Sequence, residues 1–76
     1  MATGIITIYS KSFHIYNAVD QEAEHKILTT LRRIDGVRSA RGNFQTKSYT
    51  ITFTEDTSWA YIRGALASIG YTPEEK

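Results

Sequence analysis

The chain has no cysteine in its 76 residues, so neither a disulfide nor a thiolate metal site contributes to its stability or chemistry. It has one proline, and its apolar runs are a few residues long, far short of the ~20 needed to cross a bilayer. A dominant charge is missing too. Nine Lys and Arg against eight Asp and Glu leave a net charge of +1, without the basic bias of a typical nucleic-acid binder. The opening MATGIITIYS lacks a basic flank, a long apolar stretch and a cleavage signature, so it does not read as a signal peptide. These absences lead to the expectation of a soluble, cytoplasmic protein with no membrane partner. A domain of this length buries only about 60% of the surface its unfolded chain exposes. One domain over residues 1–76 must therefore rest on regular helix and strand packing, for which the 41% apolar content suffices.

Two segments carry a helical period. In DQEAEHKILTTLRRIDG the apolar positions Ala23, Ile27, Leu28, Leu31 and Ile34 recur at threes and fours. Asp20, Glu22 and Glu24 lie at its start and Arg32 and Arg33 at its end, a polarity that suits the helix dipole. Gly36 stands where a left-handed stop is expected. The second segment, TSWAYIRGALASIGY, begins at a Thr57 or Ser58 cap, buries Trp59, Ile62, Leu66 and Ile69, and ends at Gly70. Gly64 within it is either a weak point or a place of close approach.

Between the helices, SYTITFT alternates cleanly, with Tyr49, Ile51 and Phe53 on one face and Thr50, Thr52 and Thr54 on the other. The preceding VRSARGNFQ offers Val37, Ala40, Gly42 and Phe44 inward. Small Ala40 and Gly42 beside bulky Tyr49, Ile51 and Phe53 would compensate in volume. QTK reads as the hairpin turn. FHIYN reads as a strand with Phe13 and Ile15 inward and His14 and Tyr16 outward. The order predicts an α+β, ferredoxin-like βαββαβ fold, an antiparallel sheet with both helices on one face. Pro73 limits the last strand to an edge. GIITIYS is expected to form an extra amino-terminal strand, residues 4–10, in a hairpin with FHIYN across SKS. The alternative is one long, bulged first strand. An unpaired edge there could recruit a second copy of the chain.

From residue 12 to residue 72 this pattern resembles the heavy-metal-associated domain, a family that includes bacterial copper chaperones and the amino-terminal domains of metal-pumping ATPases. The resemblance rests on Gly36 and Val37 after the first helix, the alternating hairpin strands, and Gly70 and Tyr71 after the second helix. The family motif G-M-x-C-x-x-C falls on residues 17–23, NAVDQEA. Ala18 takes the methionine position, and Asp20 and Ala23 take the two cysteine positions. Soft metals need paired thiolates, so one carboxylate and one methyl rule out copper(I) transfer of the family type at this loop. The resemblance implies a metallochaperone-like module with a degenerate metal site, linked to metal homeostasis. It further implies partner docking around the loop and first helix through complementary charge.

Asp20 has an ordinary reading as a helix N-cap and a sharper one as ligand to a hard cation, with Glu22 or Glu24 and His25. Hard ions want several oxygens converging on one point, whereas residues 22, 24 and 25 fan out around a helix. His14 and His25 sit on different elements and are not spaced as a ligand pair. No nucleophile–histidine–carboxylate grouping and no phosphate loop is visible, so no enzyme and no cofactor are expected. KSYTITF resembles the signature strand of RNA-recognition motifs, but the core needs its aromatics, which makes nucleic acid an unlikely partner. The open sheet face carries His14, Tyr16, Ser39, Arg41, Asn43, Thr50 and Thr52. It is either a solvated surface or a docking surface for an unknown protein, anchored by Tyr16 and Arg41. Arg32, Arg33 and Arg38 form a basic corner opposite the acidic helix start. The chain thus reads as a non-enzymatic interaction or accessory module, with a divalent-cation carrier or sensor as the alternative and nucleic-acid binding as a weaker one.

Overall fold

The computed structural model describes residues 6–75. Strand β1 is Tyr9–His14, helix α1 Gln21–Arg32, strand β2 Val37–Asn43, strand β3 Ser48–Phe53, helix α2 Trp59–Ser68 and strand β4 Glu74–Glu75. Each helix starts where a short polar side chain satisfies a backbone donor that the helix leaves free. Asp20 accepts from the Ala23 N–H and Ser58 from the Tyr61 N–H. Ala23, Ile27 and Leu31 of α1 and Ile62 and Leu66 of α2 are buried, as their spacing requires. Leu28, Ile34, Trp59 and Ile69 pack partly buried around them.

The sheet order is β2-β3-β1-β4 with every pairing antiparallel, which is the ferredoxin-like arrangement. Phe13, Tyr49, Ile51 and Phe53 point from the sheet into the core. The expected volume compensation is direct: Ala40 stands opposite Ile51, and Gly42 opposite Tyr49. A Cβ on Gly42 would lie 1.9 Å from Tyr49 Cδ2, so the buried ring fills the space a side chain would take. Gly36 has a φ of +97° and packs against Asp56 and the Thr57 backbone, where α1 turns into β2. Gly64 has open space around it and is simply a weak helical position.

The amino-terminal hairpin expectation is corrected. SKS is not a turn but the middle of β1, which pairs with β3 without a break from Tyr9↔Phe53 to His14↔Ser48. The alternative of one long, bulged first strand does not form either, because β1 spans only Tyr9–His14 and its register with β3 has no bulge. Of the expected extra strand, residues 9 and 10 belong to β1 and residues 6–8 form no strand. Residues 4 and 5 lie outside the described residues. A turn at SKS would have carried Tyr9 away from the Phe53 ring, which it meets at a centroid distance of 5.6 Å. Phe44, taken as an inward strand residue, lies half-buried in the β2–β3 turn.

Candidate functional site

The loop at residues 15–20 joins β1 to α1 at the end of the sheet that also holds the β2–β3 turn and the α2–β4 connection. In a βαββαβ fold these three connections emerge together, so each can reach the others. Ile15 N–H donates to the Lys47 carbonyl at 3.0 Å, tying the start of the loop to the turn. Asn17 Nδ2 donates to the Gly70 carbonyl at 2.9 Å, tying it to the α2–β4 connection. Lys47 Nζ donates to the Ala18 carbonyl at 2.8 Å. Lys47 is the one non-glycine residue with a positive φ among the described residues, at 64°. The Asp20 carboxylate accepts the Ala23 N–H at 2.8 Å, which closes the loop onto the helix.

This arrangement has a clear chemical character. The residue at the first family cysteine position, Asp20, is engaged as a cap, and the residue at the second, Ala23, is buried in the core. Ala18 is fully buried. Of the candidate ligands, Glu22 and His25 are exposed on α1, and Glu24 Oε1 accepts the Phe44 N–H at 3.0 Å. No group of three or more His, Cys, Asp or Glu side chains gathers among the described residues. The donor set does not fit a soft metal, and the loop instead holds a fixed lysine ammonium.

Beneath it, Tyr49 is 1% exposed and its hydroxyl has no hydrogen-bond partner. Burial, then the nearby Glu24 carboxylate and Tyr71, pushes this phenol above its ordinary pKa. Two apolar side chains face outward from the loop. Tyr16 is 56% exposed and Val19 68% exposed. The His14 imidazole stacks on the Tyr16 ring, with centroids 5.4 Å apart and planes within 3°.

The rest of the open sheet face is self-satisfied. Thr50 pairs its hydroxyl with Ser12 at 3.2 Å, and Thr52 with Ser39 at 2.7 Å. Arg41 is exposed and stands opposite Thr50 in the register. The structure thus joins His14 to Tyr16 and sets Arg41 apart from them, two strands away. The basic corner is also divided, because Arg32 Nη2 donates to the Ala40 carbonyl at 3.0 Å. Sequence reasoning missed Lys47 and Val19. The signal for Lys47 was topological: a long cation in the β2–β3 turn reaches the loop because both lie at one end of the sheet.

No protein-family model and no curated protein sequence matches this chain. Solved structures do. Oxidised MerP from Ralstonia metallidurans CH34 matches with a TM-score of 0.86 and 18% identity, over 92% of this chain and 99% of that one. The amino-terminal domain of a potential copper-translocating P-type ATPase from Bacillus subtilis, in the Cu(I)-loaded state, gives 0.85 and 22%, over 92% and 89%. The yeast copper transporter domain Ccc2a gives 0.80 and 16%, over 88% and 93%. At these identities the likeness is one of fold.

Proposed function

We propose that this chain is a non-enzymatic accessory module of the heavy-metal-associated type, with its thiolate loop rebuilt as a rigid tip for docking a protein partner. The observation that carries the reading is the combination at residues 15–20 of an internally bonded backbone with outward Tyr16 and Val19. Exposed apolar side chains on an ordered backbone lose little freedom when a partner covers them. Tyr16 carries further weight because tyrosine is enriched among residues that dominate interface energies. The acidic first turn of α1, with Glu22 and Glu24, suits a partner with a basic face. The solved structures of this fold include proteins whose names declare copper transport, which supports a role near metal handling.

The cation-carrier reading is weaker on the same geometry, because Asp20 and Glu24 already accept backbone N–H groups. Thermal unfolding with saturating copper(I), zinc or nickel separates the two readings, since a ligand held only by the folded state raises the melting temperature. No shift is expected. The direct test is affinity capture with wild type, Tyr16→Ala with Val19→Ser, and Arg41→Ala. A partner recovered by wild type and lost only in the loop variant supports the tip. Equal recovery by wild type and both variants removes it.

A further inference from the structure

One place in the fold shows how this chain seats a cation. The Trp59 ring lies against the Phe13 ring, with centroids 5.0 Å apart and planes at 45°, and the Lys11 ammonium lies 5.2 Å from the Trp59 centroid. Glu75 accepts from Lys11 Nζ at 2.6 Å and from Trp59 Nε1 at 2.8 Å. The arrangement has four parts: a floor ring, a second ring on it, a cation over that ring and a carboxylate beside them. The next residue pair along the same two strands turns to the opposite face of the sheet. There three of the four parts recur. His14 is the floor, and the Tyr16 ring is stacked on it at 5.4 Å with planes within 3°. Glu74 stands opposite His14 in the register, as Glu75 stands opposite Phe13, and so shares its face. Glu74 is exposed and makes no ion pair among the described residues. Tyr16 is 56% exposed although His14 covers one face of its ring, so the other face is open. No cation of the described residues lies over it. Lys47 is committed to the Ala18 carbonyl, and Arg41 stands two strands away.

We propose that the open face of Tyr16, with His14 beneath it and Glu74 beside it, is the seat for an arginine side chain on the basic face of the partner. The inference rests on the docking-tip reading for the partner being a protein, and adds the side chain that partner presents. A cation within about 6 Å of a tyrosine centroid is attracted by the negative face of the ring. A guanidinium suits the seat better than an ammonium, because it is planar, stacks flat on an aromatic ring and is more weakly hydrated. Glu74 is the carboxylate that shares this face, and its charge favours a guanidinium held there. The imidazole keeps the Tyr16 ring from turning, so little rotamer freedom is lost when the arginine arrives. Tyr16 and Glu74 thus determine specificity, and His14 is a positioning residue that acts through Tyr16.

The probe is the capped peptide GRGRG, titrated into the full chain at low ionic strength, with citrulline or lysine in place of arginine as controls. Ring resonances of Tyr16 and His14 report the seat by NMR. The arginine peptide is expected to shift the Tyr16 ring at millimolar concentration, the lysine peptide to shift it less and the citrulline peptide not at all. Tyr16→Leu and Glu74→Gln, both at exposed positions, should each weaken binding about two- to fivefold, the range for one exposed contact of these kinds. His14→Ala should weaken it as well, and His14→Phe, which restores a ring floor, should recover it. The proposal is overturned by absent shifts at Tyr16, by equal shifts from the arginine and citrulline peptides, or by unchanged affinity in Tyr16→Leu or Glu74→Gln. Shifts centred on Glu22 and the start of α1 also overturn it, in favour of attraction by the acidic first turn alone. In the capture experiment, a protein lost with Tyr16→Ala and Val19→Ser but retained by Glu74→Gln leaves the docking tip standing and removes the arginine seat. Arginine binding at Tyr16 with capture indifferent to the loop variant supports the seat and removes the tip.

Discussion

Placing two thiolates in the loop tests whether its backbone is fit to hold a metal. The variant is Asp20→Cys with Ala23→Cys. Removing the Asp20 cap, which holds the Ala23 N–H at 2.8 Å, costs about 1 kcal/mol. For a domain of this size that lowers the melting temperature by about 4–8 °C. Position 23 is 7% exposed, so the new sulfur must turn outward or press into the core, and some further loss follows. Both thiols would lie at a helix N-terminus, which favours the thiolate form that metals bind. Copper(I) at a hundredfold excess over its dissociation constant adds about 2.7 kcal/mol of stability. The loaded variant should therefore melt roughly 10–20 °C above its own metal-free form. Anaerobic thermal unfolding followed by circular dichroism, with wild type alongside, reads both effects. Wild type should show no copper-dependent shift. A folded double variant that also shows none would refute the reasoning, because the backbone as well as the donors would then be unfit for metal.

Gly42→Ala should destabilise the fold by about 2 kcal/mol or more, because its Cβ would meet the fully buried Tyr49 ring at 1.9 Å; chemical denaturation measures this, and a change under about 0.5 kcal/mol would contradict the packing. Tyr49→Phe should be neutral or stabilising by about 1 kcal/mol, since it removes a buried hydroxyl with no partner. A loss of more than about 1 kcal/mol in the same assay would reveal a bond the hydroxyl makes. Lys47→Met should lose about 1–2 kcal/mol with the charged bond to the Ala18 carbonyl and speed amide exchange at residues 15–20, and unchanged exchange would deny that Lys47 fixes the loop. Hydrogen bonds from Lys11, then Trp59, hold the Glu75 carboxyl below its ordinary pKa. A depressed folded value makes this contact complete above the ordinary carboxylate range and weakens it as pH falls through the folded value. Trp59 emission should therefore be flat near neutrality and change only in acid, and a Glu75→Gln protein should lack that step.

Most of the fold was legible because its signals are local and repeated. The stripe from Ala23 to Ile34, the alternation from Tyr49 to Phe53 and the Asp20 cap each follow from one element's own geometry, and each stands where the pattern put it. The first strand was harder. SKS is polar and short, as a turn is, but on an edge of the sheet Ser10 and Ser12 face solvent while Lys11 reaches Glu75 and the Trp59 ring. Strand alternation was hidden by an amphipathic lysine doing the work of an apolar residue. The loop was legible in what it lacks and illegible in what replaced it. The bonds from Lys47 and Asn17 join segments 29 and 53 residues apart in sequence, and no local pattern encodes such contacts.

The absence of cysteine and the internal bonding of the loop bear on each other. Structural metal sites supply folding energy, and a loop without thiolates draws its order from other contacts. Here Ala23 is part of the core, and each buried methyl of this kind contributes about 0.8 kcal/mol. The Lys47 ammonium lies on the Ala18 carbonyl and adds a positive charge to the loop. A cation entering there would face that charge and compete for a carboxylate already bonded to the helix. The contacts that order this loop therefore also work against a cation there. Tyr16 and Val19 contribute little to the core from their exposed positions and stand outward from this ordered loop.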